Sequence, residues 1–389
     1  MTAMPAVAWD QVLTLLAPLP VVLLANLAER PSDRAVRPGG GELDVGDVKR
    51  GTIAPGWVGF VRAPTALGWF TWAVLLVVAL AFVLFGLGTA LVAGPSARAN
   101  GSRLAVYGVL EAVTGLAAAA TLWRPVRVGV ARLLPLDPDS PVHTTALLLS
   151  VLLFGTQAAA QLTLNVLGQA TSGQQLQPVD LVVQEIPFAL AALLGVGVFV
   201  RRDLGQALRR LGLVRPQAYQ VLLALAAAGA FYAFSSGVDA LGERLTPDLS
   251  RQVGAASQRL FGQLSNPLGI ATIALAAGIC EEALFRGALQ PRLGLIWTAL
   301  LFAVVHTEYG LSLDAMAVFV LAIALGLIRS FANTTTSAIC HVAYNALVGV
   351  SLVQAWALLP AVGVEAALVA ATAGAWFLNN RGRSASNAR

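Results

Sequence analysis

Lysine is almost absent from this chain: of 389 residues, Lys49 is the only one. Charge of either sign is scarce at 12%, about half the share of an ordinary soluble domain. That scarcity, with 57% hydrophobic residues and a mean hydropathy of +0.74, excludes a soluble globular chain. Only two cysteines occur, Cys280 and Cys340, both in apolar stretches, which argues against a disulfide framework. Only three histidines are present, and His-Glu-x-x-His does not occur. There is no basic N-terminal region before an apolar run, so no cleavable signal peptide is expected. No internal repeat is visible.

What is abundant is apolar length. A helix crosses the hydrocarbon with about 20 apolar residues. Candidate spans fall at about 11–27, 68–93, 105–122, 144–167, 181–200, 218–239, 267–290, 294–308, 312–328, 334–355 and 357–378. The expectation is an all-α polytopic membrane protein with about 10–11 transmembrane helices. Pro18 and Pro20 interrupt the first span, and 294–308 is short for a crossing. The net charge of +5 is carried mostly by arginines in short loops between spans. That pattern orients helices in a bilayer and gives no reason to expect a nucleic-acid partner. Most of the 25 Lys and Arg residues fall in alternate loops, which predicts a multi-pass cell-membrane protein with a cytoplasmic C-terminus.

Three polar pieces punctuate the spans. Residues 31–66, with Gly39-Gly40-Gly41, read as a flexible cytoplasmic loop. Residues 201–216 read as a basic amphipathic helix suited to an anionic inner leaflet. The longest external connection, 240–266, has helical spacing at Val253, Leu260 and Leu264. The chain divides accordingly into an N-terminal accessory membrane region (1–217), a core (218–378) and a cytoplasmic tail (379–389).

The core carries the chemistry. Glu281, Glu282 and Arg286 sit in one apolar helix, where an ionised side chain at the bilayer centre costs about 2.5–3.5 kcal/mol even on the lenient scale. Phe302 and His306, then His341 and Asn345, follow as pairs one helical turn apart. At 1.5 Å rise per residue, Glu281, His306 and His341 lie about 15, 18 and 12 Å from their cytoplasmic turns. Their helices therefore bring them to similar depth.

Spacing separates the roles. Glu282 and Arg286 share a helix face and form a structural ion pair, whereas Glu281 points elsewhere. Glu281 can serve as a general base on water, and His341 with Asn345 can present hydrogen bonds to an oxyanion. His306 completes the site, orients water, or joins Glu281 and His341 as a metal ligand. The chemistry is either cofactor-free or assisted by a divalent metal such as zinc. Glu111, Glu185 and Glu365 read as helix–helix hydrogen-bonding residues; Gly278, Gly287 and Ala288 read as positions of close helix approach. Trp57, Trp69, Trp123 and Trp376 read as interfacial anchors.

The stretch Glu281-Glu282-Ala-Leu-Phe-Arg286, with Phe302-Ala-Val-Val-His306 and His341-Val-Ala-Tyr-Asn345, resembles the CPBP family. That family comprises the type II CAAX prenyl endopeptidases and their bacterial Abi-type relatives. The resemblance covers about 267–350 and implies a glutamate-dependent intramembrane endopeptidase acting on a membrane-embedded or lipidated peptide or protein. It implies that Glu281 activates water, His306 assists, and His341 with Asn345 stabilises the tetrahedral intermediate. Family members have been described both as metalloproteases and as metal-independent enzymes. Two other classes fit the composition: a non-catalytic membrane scaffold or immunity protein on the same fold, and a proton-coupled transporter using Glu185, Glu281 and Glu365.

Overall fold

The computed structural model describes residues 16–29, 65–93, 99–172 and 175–351, with positions 367, 370–372 and 374. The span expected at 357–378, the loop at 31–66 with Trp57, the tail, Glu365 and Trp376 lie essentially outside these residues. Among the described residues there is no strand, and the architecture is all-α.

Fourteen helices follow in order: α1 (Leu19–Ala28), α2 (Ala66–Ala93), α3 (Ala99–Ala120), α4 (Arg124–Val130), α5 (Pro141–Thr163), α6 (Val166–Ser172) and α7 (Pro178–Gly195). Then come α8 (Leu204–Leu211), α9 (Ala218–Leu245), α10 (Pro247–Phe261), α11 (Pro267–Leu293), α12 (Leu295–Val305), α13 (Leu313–Phe331) and α14 (Thr334–Ser351). Seven of the described helices are long and apolar enough to cross a membrane: α2, α3, α5, α7, α9, α11 and α13, with α3 counted from Gly101. Helices α1 and α12 are apolar but short, and α14 carries His341 and Asn345 along its length. The expected span at 357–378, and parts of those at 11–27 and 334–355, lie outside the described residues, so seven is the number among the described residues alone.

Helix starts follow from local chemistry. At α5, Ser140 accepts a bond from the His143 N–H at 3.2 Å with Pro141 behind it. At α11, Asn266 accepts from the Gly269 N–H at 3.0 Å, again followed by proline. Helix α8 starts on an Asp203–Gln206 capping box and stops at Gly212, whose φ of 76° suits a residue without Cβ. The basic helix expected at 201–216 is therefore confined to Leu204–Leu211, and it buries Ala207 and Leu211 against Ala283 and Ala288 of α11. In the 240–266 connection, Val253 and Ala256 of α10 pack on Leu167 of α6.

Helix α11 is not uniform. It is α-helical to Glu281, then opens into a π-helical segment over Glu282–Leu289. Such widened turns occur frequently at functional sites. The motif spacing gives no sign of it. The segment packs on α7, α8 and α14, so the polar residues lie at the meeting of several helices. Close approach is set by Gly278, where an added Cβ would lie 2.6 Å from Val342 Cγ2 and 3.0 Å from the Val342 nitrogen on α14. Gly287 likewise abuts the Leu211 carbonyl oxygen at 2.8 Å.

Candidate active site

Glu282 is fully buried and surrounded by partners. Its Oε1 lies 3.1 Å from Arg286 Nη1 and 3.2 Å from His341 Nδ1, and its Oε2 accepts from the Ser337 hydroxyl. Arg286, also buried, donates to the Ala322 carbonyl at 3.3 Å and lies over the Phe302 ring at 4.3 Å. Two buried charges are thus neutralised by one another and by hydrogen bonds, the condition under which they persist in an apolar interior. Spacing anticipates the Arg286 contact; the grip on His341 it does not.

His341 stands between the two glutamates. Its Nδ1 faces a carboxylate already committed to Arg286, so the proton belongs on that nitrogen, which donates to Glu282. Its Nε2 faces Glu281 Oε2 at 3.9 Å, beyond direct hydrogen-bond reach. Glu281 Oε2 is buried and has no hydrogen-bond partner among the described residues. The adjacent carboxylates are therefore in opposite conditions: every contact of Glu282 is made, and Glu281 keeps an open oxygen.

His306 caps the end of α12, where the chain leaves helical conformation (φ −84°, ψ 67°) for a short turn at Thr307–Tyr309. Its Nδ1 lies 2.7 Å from the Phe302 carbonyl oxygen; a carbonyl only accepts, so Nδ1 carries the proton and Nε2 of the neutral ring offers a lone pair. The Phe302 ring lies between the imidazoles, with its centroid 4.6 Å from His306 and 5.9 Å from His341. The charge of Glu281 reaches His306. Asn345 is half-buried one turn beyond His341.

Among the described residues, no group of three or more His, Cys, Asp or Glu side chains is arranged to hold a metal ion. Of the ligand set anticipated from sequence, Glu281 and His341 face each other at 3.9 Å. One nitrogen of each imidazole is engaged, by a carbonyl on His306 and by Glu282 on His341, which leaves Nε2 of each ring for the site's chemistry. Cys280 and Cys340 each precede a motif residue, and neither forms a disulfide with another described residue.

Residues 263–347 match the family model described as "Type II CAAX prenyl endopeptidase Rce1-like". The matched stretch contains all seven motif residues: Glu281, Glu282, Arg286, Phe302, His306, His341 and Asn345. Over this segment the chain is similar to the type II CAAX prenyl endopeptidases. The match extends a few residues before α11 and ends within α14, leaving α1–α10 almost entirely outside it. No curated protein and no solved structure matches the chain.

One residue outside the matched segment reaches the site. Glu185 on α7 is buried, its Oε2 has no partner among the described residues, the charge of Glu281 reaches it, and its own charge reaches Cys280. Sequence reasoning assigns Glu185 to helix–helix bonding together with Glu111. For Glu111 the structure supplies such a bond, from Thr156 Oγ1 at 3.0 Å. For Glu185 it supplies proximity to Glu281 instead. The sequence signal was present, a Gln184-Glu185 pair in an apolar span, but only the packing of α7 on α11 says which helix it faces.

Proposed function

We propose that the chain is an intramembrane endopeptidase that hydrolyses a peptide bond in a membrane-associated substrate, with Glu281 as general base. The observation that carries this reading is the buried, unpartnered Glu281 Oε2, 3.9 Å from His341 Nε2. A gap of that length between two polar groups suits a bridging water. In the proposed step, Glu281 takes a proton from this water and the resulting hydroxide attacks the scissile carbonyl carbon. The proton then passes from Glu281 to the departing amide nitrogen as the carbon–nitrogen bond breaks.

The neutral His306 ring, with its Nε2 lone pair, accepts a hydrogen bond from the same water and orients it. His341 and Asn345 donate to the oxyanion. Donation from His341 Nε2 requires the doubly protonated ring, whose charge Glu282 neutralises at Nδ1. Glu282 thereby has the part of the carboxylate that holds a catalytic histidine in orientation, and Arg286 keeps that carboxylate ionised and in place. Excess chelator separates the two versions of the chemistry: activity that persists assigns it to Glu281 and the histidines alone, and activity that is lost assigns a metal to Glu281, His306 and His341.

The family description supports a lipidated, prenyl-bearing protein as substrate, and the arginine distribution supports a cytoplasmic C-terminus. The test is comparative proteomics of membrane peptides from cells carrying the wild-type protein or Glu281→Gln. Glu281→Gln should remain inserted in the membrane and release no peptide. Unchanged cleavage by that variant would sink the assignment, and a phenotype indifferent to both Glu281→Gln and His341→Ala would favour a non-catalytic scaffold.

A further inference from the structure

A second buried polar cluster lies at the other end of α11, where its last turn meets the last turn of α7. Arg292, 6% exposed, donates to the carbonyls of Ala288 and, at 3.3 Å, Gly195. Arg202 donates to the Val196 carbonyl at 2.6 Å, and Arg201 Nη2 to Asn26 Oδ1 at the same distance. The charges of Arg201, Arg202 and Arg210 all act on Arg292. Among the described residues, Glu29 is the carboxylate whose charge reaches Arg201 and Arg292. Its Oε2 is taken up by Ser140 Oγ at 2.7 Å and the Val142 N–H at 3.2 Å, at the start of α5.

Two donors are left over. Arg201 Nε and Arg292 Nε are both buried and have no acceptor among the described residues. A buried charged donor without an acceptor costs more than the roughly 1–3 kcal/mol of a neutral one. Helix C-termini compensate only partly, because each carries about half a negative charge. The turn that carries Arg201 and Arg202 is also unusual. Phe199, 84% exposed, has a φ of 59°, which a bulky residue rarely adopts, and its N–H is bonded to the Arg202 carbonyl at 2.8 Å. An exposed aromatic beside guanidinium groups, at the ends of two membrane-length helices, matches the chemistry of the bilayer interface.

We infer that Arg201 and Arg292 form a binding site for a phosphate group, presented by an anionic lipid whose acyl chains lie beside Phe199 or by free phosphate in solution. Tetrahedral oxyanions accept several guanidinium N–H bonds at once and would satisfy both Nε donors. Anionic lipid headgroups are concentrated on the face towards which the arginine-rich loops are expected to lie. The site is remote in kind from the glutamate–histidine cluster and does not depend on the proteolytic reading.

The test uses the purified full-length chain in detergent. Retention of phosphatidylglycerol, phosphatidylcholine and inorganic phosphate is read by native mass spectrometry, with Tm followed in parallel. Wild-type protein should retain phosphatidylglycerol over phosphatidylcholine. Arg201→Gln and Arg292→Gln should each reduce that retention about tenfold or more, as loss of a charged hydrogen bond implies. Arg209→Gln, on the exposed side of α8, should leave it unchanged. Should Arg292→Gln fail to accumulate, Arg201→Gln and Arg201→Lys carry the test. Inorganic phosphate that raises Tm and displaces the lipid assigns the site to free phosphate; the absence of that effect assigns it to the headgroup. Equal retention by wild type and Arg201→Gln, or an equal loss in Arg209→Gln, overturns the inference. So does retention that appears only after Glu42, Asp44 and Asp47 are neutralised, which would give the arginines to this chain's own carboxylates.

Discussion

Helices α2 and α3 are held together quite differently from α11 and α14. The α2–α3 pair meets backbone to backbone: a Cβ added to Gly108 would lie 2.5 Å from the Gly86 carbonyl oxygen, and one added to Gly115 would lie 2.7 Å from that of Ala79. Its outward faces present Trp69, Phe70, Leu84 and Leu91, which lipid tails solvate as well as a protein core would. Helices α11 and α14 also touch closely, at Gly278 and Val342, but their contact includes a buried network of Glu282, Arg286, Ser337 and His341. In a bilayer, apolar surface supplies little preference for one helix partner over another. Small residues let helices approach; only the polar network specifies which atoms must face each other, and to within what distance.

That contrast can be broken from either side. The largest effect on turnover should come from Glu281→Gln, which removes the general base and costs at least the 10²–10⁴-fold typical of such a loss; peptide release from reconstituted vesicles measures it, with Tm near wild type. Glu282→Gln should act through folding as well, because an unpaired buried Arg286 costs about 3–5 kcal/mol; a large fall in Tm together with lost activity is the expected pair of readings. Asn345→Ala should lower kcat about 10²–10³-fold with KM little changed, the pattern of a group that acts on the oxyanion. On the other side, Gly108→Ala should cost about 1–3 kcal/mol by forcing α2 from α3, yet leave kcat per folded molecule untouched. Smallest of all, Thr156→Val removes the bond to Glu111 and should cost about 0.6 kcal/mol, the usual worth of such a bond within a membrane. If Gly108→Ala instead lowers kcat, the N-terminal helices are part of the catalytic machine.

Much of the α11–α14 chemistry is legible in the sequence. Expensive residues in an apolar helix draw attention by their cost, and spacing of three or four residues tells which of them share a face. Glu282 with Arg286 and His341 with Asn345 come directly from that arithmetic. What escapes it is contact between distant segments. The second partner of Glu282 is 59 residues away, and Glu185 reaches Glu281 from a helix almost a hundred residues earlier. The arginines were legible as charge but not as a cluster, since loop composition says which side of the membrane they occupy and nothing about which helix ends converge. Helix length is legible only in part for a related reason: hydropathy registers that α12 is apolar, whereas its cap and the turn that follows decide where it stops.

The π-helical segment has a consequence for inheritance. A widened turn is equivalent to one residue inserted into a regular helix, so everything beyond Leu289 is displaced in phase by about 100° relative to an unbroken α-helix. Gln290, bonded to the Gly326 carbonyl, and Arg292, bonded to that of Gly195, meet their partners only because of that slip. A single-codon deletion between Glu282 and Leu289 would let the helix close to its ordinary pitch and turn one end of it away from its neighbours. Substitutions here can be graded in strength, but a change in length cannot, and related chains should differ in this stretch by spelling and not by number of residues.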